Sequence, residues 1–171
     1  MHTSSIKQNL LAELDQELAG TRRMLERVPY DQADFQPHPK SMTLGQLAAH
    51  VVNLLAFSTL FVQAHSRDFL DPNGARPGPT PTSGVELLAR FDEYAATLRQ
   101  ELSLSDDEML TRPFRLHRGE QVMFDLPKAA AIRIMGFNHS IHHRGQLSVY
   151  LRLLDIPVPG LYGPSADEKG S

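Results

Sequence analysis

Four stretches of this chain repeat their apolar residues at the period of an amphipathic helix, and proline-rich segments cut the stretches apart. Whatever fold it adopts must therefore pack long helices against one another. The first stretch places Ile6, Leu10, Leu14, Leu18 and Leu25 at steps of about one or two turns between Ser5 and Val28, with Thr3, Ser4 or Ser5 available as the cap. It stops before Pro29, because the residue preceding a proline is driven out of the α region, and Pro29 to Pro39 reads as a loop. Thr43-Leu44-Gly45-Gln46 is a capping box that opens a second helix through Leu47, Val51, Leu54 and Leu55 to about His65. Asp71 to Ser83 then holds six prolines and glycines in thirteen positions, which neither a helix nor a central strand tolerates, so it reads as a crossover loop. Ser83-Gly84-Val85-Glu86 repeats the capping-box logic for a third helix that continues through Leu88, Phe91, Ala95 and Leu98 to about Leu102. In Pro113 to Asp125 the period changes: Phe114, Leu116, Val122 and Phe124 alternate with polar residues around His117-Arg118-Gly119-Glu120, the pattern of a short β-hairpin. Pro127 fits the first turn of a fourth helix that runs to about Leu154, before Pro157 and Pro159. The expectation is an all-α antiparallel bundle with one small hairpin, read as a single domain over residues 1–171.

Composition removes several functions. With 171 residues and no cysteine, there is no disulfide framework, thiolate-ligated zinc, iron–sulfur centre or cysteine nucleophile. A net charge of -3 offers no general electrostatic footprint for nucleic acid, and Arg133, Arg144 and Arg152 on the fourth helix come without a recognition-helix pattern. The N-terminal decapeptide lacks the apolar run of a secretory signal, which points to the cytoplasm. The longest apolar stretch, Leu54 to Val62, is broken by Ser58 and Thr59, so no membrane span is expected.

The chemistry-bearing segment is Phe137 to Gln146, with His139, His142 and His143. Residues four apart on a helix share a face, so His139 and His143 can reach one metal ion. Position 143 also shares its stripe with Met135, Gln146, Leu147 and Tyr150, which leaves His142 at the rim. A pair of this kind is equally the mark of two solvated histidines. His50 interrupts the apolar face of the second helix between Leu47 and Leu54, where burial is expected, and a lone histidine there is commonly a core residue bonded to a carbonyl. If the second and fourth helices are neighbours, the three histidines supply three nitrogen ligands and leave a position open, the pattern of a catalytic zinc site. His2, His38, His65 and His117 read as exposed titrating residues, and Met24, Met42, Met109, Met123 and Met135 as packing.

Two segments, Ser41-Met42-Thr43-Leu44-Gly45-Gln46-Leu47-Ala48-Ala49-His50 and His139-Ser140-Ile141-His142-His143-Arg144-Gly145-Gln146-Leu147-Ser148-Val149-Tyr150-Leu151-Arg152, resemble the DinB-like family, as does the ending Ile156 to Gly163. The resemblance implies an up-down-down-up four-helix bundle, a divalent zinc or nickel ion held by His50, His139 and His143, and a homodimer. It further implies, for some members, thiol transfer with bacillithiol, mycothiol or related low-molecular-weight thiols. Many members place a glycine near Asp155, and this chain departs from them there.

A three-histidine divalent ion can lower the pKa of a bound water to ~7, ionise a guest thiol or polarise an electrophile. With no cysteine in the chain, any sulfur nucleophile arrives as a cosubstrate. The groups positioned to relay a proton are Gln46, Asn53, Asn138, Gln146 and Tyr150, none of them a carboxylate, which favours thiol activation over peptidase-like hydrolysis. Gln146 and Tyr150 are the catalytic candidates, although Tyr150 reads more readily as core. Arg144 reads either as a group that orients the imidazoles or as a surface cation packing its stem on a neighbouring helix. The leading function is a metal-dependent S-transferase or small-molecule hydrolase; the alternative is a non-catalytic, metal-stabilised binding or stress-response module.

Overall fold

The computed structural model describes residues 4–73 and 78–168, so His2 and part of the Pro/Gly loop, residues 74–77, lie outside the described residues. The chain is mostly helical with one small sheet. Helix α1, Ile6–Leu25, starts on Ser5, whose side chain accepts from the Gln8 amide while the Gln8 side chain accepts from the Ser5 amide. Helix α2, Leu44–Gln63, opens on the reciprocal Thr43 and Gln46 pair, at 3.3 and 3.0 Å. Helix α3, Gly84–Leu104, is capped by Ser83, but Glu86 bonds the amide and hydroxyl of Thr82 instead of closing a box on Ser83. The short helix α4, Asp107–Thr111, follows on Asp106, whose carboxylate accepts from the Met109 amide at 2.7 Å.

The expected hairpin forms from β2, Pro113–Arg118, and β3, Gln121–Pro127, with a bulge between Leu116 and His117. A third strand that the periodicity did not announce, β1, Ser66–Asp68, pairs in parallel with β2. His117, expected to be exposed, is partly buried, with Nδ1 2.9 Å from the Gly119 carbonyl. Met123 is 55% exposed and does not pack, whereas Met24 is fully buried and Met42, Met109 and Met135 line the core.

The fourth long helix is three consecutive segments. Pro127 precedes α5, Lys128–Ala131; Ile132–Asn138 follows as a π-helical stretch; α6, His139–Leu153, continues without a break in helical backbone. At the middle of the π stretch, Gly136 lies so close to Ser58 of α2 that a Cβ there would collide with the Ser58 hydroxyl. This contact brings the backbone just before His139 hard against α2. Lys128 is buried and donates to the Val62 and Ala64 carbonyls, which would otherwise be orphaned at the α2 C-terminus.

Helix α1 packs on α3 and α6, and α2 packs on α3, α6 and the π stretch, so α2 and α6 are neighbours. The core between them holds Leu14, Leu47, Val51, Phe61, Leu87, Phe91, Leu147 and Leu151, each 2% exposed or less. As formed, α2 is longer than the Leu54 to Val62 run and is apolar enough to cross a bilayer, but 67% of that window is buried inside the fold.

Arg144 is also buried, at 2% exposure, which corrects its reading as a surface cation. Its guanidinium donates to the Glu17 carbonyl at 3.0 Å and carboxylate at 2.6 Å, to Thr21 Oγ1 at 2.9 Å and to Tyr162 Oη at 2.6 Å. Gly20 makes room for it, since a Cβ there would stand 3.3 Å from Nη1. One side chain thus ties α6 to α1 and to the C-terminal segment.

Helix α6 ends at Asp155, the position where glycine was missing. Asp155 adopts φ 56°, its amide bonds the Arg152 carbonyl, and the Ile156 amide reaches back to Leu151, which together make a Schellman stop. A non-glycine residue in this left-handed conformation costs about 1 kcal/mol, moderated for aspartate. Asp155→Gly is therefore expected to raise stability by about 0.5–1 kcal/mol in urea unfolding, with an unchanged m-value. Arg144→Met should lower it by about 2–3 kcal/mol by leaving the partly buried Glu17 carboxylate without its guanidinium partner, and adding Glu17→Met should recover part of that loss in the same assay.

Candidate metal centre

The packing of α2 against α6 brings His50 to His139 and His143. One nitrogen from each lies within 4.8 Å of the other two. The ring centroids are 5.3 Å apart for His50 and His139, 4.3 Å for His50 and His143, and 4.7 Å for His139 and His143. His139 and His143 follow from the helical repeat alone, their Nε2 atoms 2.9 Å apart. His50 joins them because the Gly136 contact sets how closely the π stretch approaches α2. It is half-buried, less enclosed than its place on the apolar face predicted.

The surroundings favour the neutral form of all three imidazoles. His50 is pushed down to about 4, chiefly by burial and then by its neighbours His143 and His139. Burial lowers His139 too, opposed by the Met135 carbonyl, toward which its buried Nδ1 leans without a hydrogen bond of normal geometry. Burial likewise lowers His143, opposed by its bond to Gln146. Neutral imidazole is the form that ligates a metal.

Gln146 orients the pair beside it. Its Oε1 lies 2.8 Å from His143 Nδ1 and its amide nitrogen 3.1 Å from His142 Nε2. An amide oxygen only accepts, so His143 carries its proton on Nδ1 and presents the Nε2 lone pair to His139 and His50. His142 is exposed at the rim, its ring 4.9 Å from that of His143, and lies outside the group of three.

The residues fit a divalent ion. Metal–nitrogen bonds of ~2.0–2.1 Å at tetrahedral angles set nitrogens about 3.3 Å apart, a spacing these three reach with small side-chain adjustments. Among the described residues, no fourth His, Asp or Glu joins the group. Instead, His143 faces a groove of about 400 Å³. Gln146, Val149 and Tyr150 of α6 line one wall, and Lys40, Ser41 and Met42 of the loop before α2 line the other.

Of the proton-relay candidates, Gln146 and Tyr150 reach this groove, whereas Asn53 and Asn138 do not line it and the Gln46 side chain is engaged in the α2 cap. Tyr150 is 7% exposed, packs edge-on against Phe35 and donates its hydroxyl to the Met42 carbonyl at 2.9 Å. It is thereby a strut between α6 and the loop wall. Arg144 faces α1 and makes no bond to an imidazole. The loop wall itself escaped the sequence reading, because Lys40 and Ser41 sit in a segment with no periodicity.

Comparison with known proteins agrees with this architecture. The chain is 24% identical over 156 residues to the uncharacterized protein YrdA of Bacillus subtilis (strain 168), covering 89% of this chain and 85% of that one. The crystal structure of a DinB-like protein from Bacillus cereus ATCC 10987 superposes with a TM-score of 0.67 at 23% identity, covering 89% of this chain and 95% of the other. The DinB-like protein YjoA of Bacillus subtilis superposes with a TM-score of 0.66 at 17% identity, covering 87% and 96%. The sequence profile of the DinB superfamily matches residues 13–147, and the chain belongs to that superfamily.

Proposed function

We propose that this protein is a metal-dependent enzyme in which His50, His139 and His143 hold one divalent ion, zinc or nickel, that activates a low-molecular-weight thiol for S-transfer to a small electrophile. The observation that carries this reading is three histidines from two helices converging with no fourth protein ligand among the described residues, one of them, His143, lining an open groove. A structural zinc site is closed by four protein ligands, whereas a catalytic one keeps a position for water or substrate. That difference favours catalysis over a metal-stabilised binding module. The same reading takes the fold as an up-down-down-up four-helix bundle in one domain, working as a homodimer in the cytoplasm.

When bound, such an ion supplies Lewis acidity at its exchangeable position, where it favours thiolate over thiol. The chain's own residues do the rest. The three imidazoles offer lone pairs without adding charge, and Gln146 fixes the tautomer and ring plane of His143. The Tyr150 bond to Met42 holds the loop wall against α6, which sets the width of the groove. No carboxylate lines the groove to serve as general base, and no cysteine exists to serve as nucleophile, so the sulfur must come from the guest. In the transfer, the guest sulfur forms a bond to the electrophilic carbon, the leaving group departs with its electron pair, and the thiol proton passes to solvent. Hydrolysis of a small electrophile by bound water is the secondary activity such a site would support.

Tag-free protein prepared without a metal column is expected to contain about one divalent ion per chain by elemental analysis. His50→Ala, His139→Ala and His143→Ala should each lose it while keeping the helical circular-dichroism spectrum, and with it thiol transfer to a chromogenic haloarene. Metal content unchanged in all three variants would overturn the site; full occupancy without thiol-dependent turnover would favour the binding module. Gln146→Ala should still bind one ion at saturation, with about 10–100-fold weaker affinity in a competition titration against a chelator.

A further inference from the structure

We propose that the ligand of this groove carries a carboxylate remote from its reacting atom, and that Lys40 and Ser41 bind that carboxylate; the inference rests on the metal reading of the three histidines. Charge gives the first argument. A divalent ion held by three neutral imidazoles keeps both of its positive charges, and none of the residues lining the groove is acidic. Lys40 adds a third positive charge on the opposite wall. A site of this sign selects an anion, in a chain whose net charge is -3 and which therefore does not attract anions as a whole.

The pattern of engaged and free donors gives the second. The Gln146 amide is held by His142, and the Tyr150 hydroxyl by the Met42 carbonyl. On the loop wall the arrangement is reversed: the backbone is pinned and the side chains are open. The Lys40 amide donates to His38 Nδ1 at 3.1 Å, the Ser41 amide donates to the His38 carbonyl at 2.8 Å, and the Ser41 carbonyl accepts from Gln36. Among the described residues, Lys40 Nζ and Ser41 Oγ have no hydrogen-bond or ion-pair partner. A pinned backbone that carries an unengaged ammonium and an unengaged hydroxyl on consecutive residues offers both donors to a carboxylate. Met42 and 57%-exposed Val149 give the groove an apolar flank, which suits a short aliphatic spacer between the carboxylate and the reacting end.

The test uses the zinc-loaded full chain and an isosteric pair, 3-mercaptopropionate and 3-mercaptopropionamide, titrated while the Lys40, Ser41 and Gln146 resonances are followed by NMR. The acid is expected to bind about tenfold more tightly than the amide, as one ion pair at a protein surface allows. Lys40→Glu should erase that preference and Lys40→Arg should keep it, with zinc content equal in all three proteins. Equal affinity for both compounds, or no shift of these resonances by either at millimolar concentration, overturns the proposal. So does a preference for the acid that survives Lys40→Glu, since it would then arise from chelation of the ion. The cobalt-substituted protein separates the two readings: a Lys40-dependent carboxylate preference without a sulfur-to-cobalt charge-transfer band would sink thiol activation and leave the carboxylate site standing.

Discussion

The arrangement depends on the fixed register between α2 and the last long helix. One nitrogen from each of three imidazoles lies within 4.8 Å of the other two, and only two of the rings are held there by a single helix. The third must be delivered by packing, and two contacts on α6 and its π stretch do so. Gly136 against Ser58 brings the backbone before His139 onto α2, and the buried Arg144 guanidinium locks the opposite face of α6 to Glu17 and Thr21 of α1. Because histidine and arginine are consecutive, the rotation that turns Arg144 toward α1 also turns His143 toward His50. A buried ion pair is weak evidence for net stability, but it is a sharp device for fixing register, because any other register leaves a charge without its partner.

The helices could be read from sequence because apolar period and capping chemistry are local. Ser5, Thr43 and Ser83 cap α1, α2 and α3 as their spacing implied, and the proline clusters fall outside the helices. Features that depend on distant partners could not be read this way. Strand β1 is Ser-Arg-Asp, with no alternation to mark it, and exists only because β2 lies beside it. The π stretch meets α2 where residue 136 approaches residue 58, and Arg144 is buried against partners on α1 that stand more than a hundred residues away. Nothing about an arginine between polar neighbours reveals that it will be 2% exposed.

The candidate site divides along the same line. His139 and His143 follow from one helical repeat, and Gln146 from the next turn, so their grouping was visible as spacing. His50 stood out as a break in the apolar face of the second helix, but its spatial partnership with the other two is a tertiary fact. Nothing marked Lys40 and Ser41 as wall residues, although Ser41 opens a family-like segment, since a loop residue's place on a wall is set by the bonds that shape the loop.

The neutrality of the centre decides what chemistry suits it. Three-histidine ligation leaves a bound ion's charge uncompensated, whereas a carboxylate ligand would reduce it and make a bound water or thiol harder to ionise. Here the surrounding acids are engaged elsewhere: Glu17 by Arg144 and Tyr162, Glu13 by Arg133, and Asp167 by Arg152. With an ion in place the groove would offer positive potential beside an apolar flank, and no carboxylate lines it among the described residues. A thiol needs only the first of these to ionise, because the electrostatic cost of forming its anion is what the ion removes. Bound water would ionise on the same charge, but hydrolysis also has to deliver a proton to the leaving group, and the groove's described lining holds no carboxylic acid for that step. On the function proposed, that difference in proton handling favours sulfur as the guest.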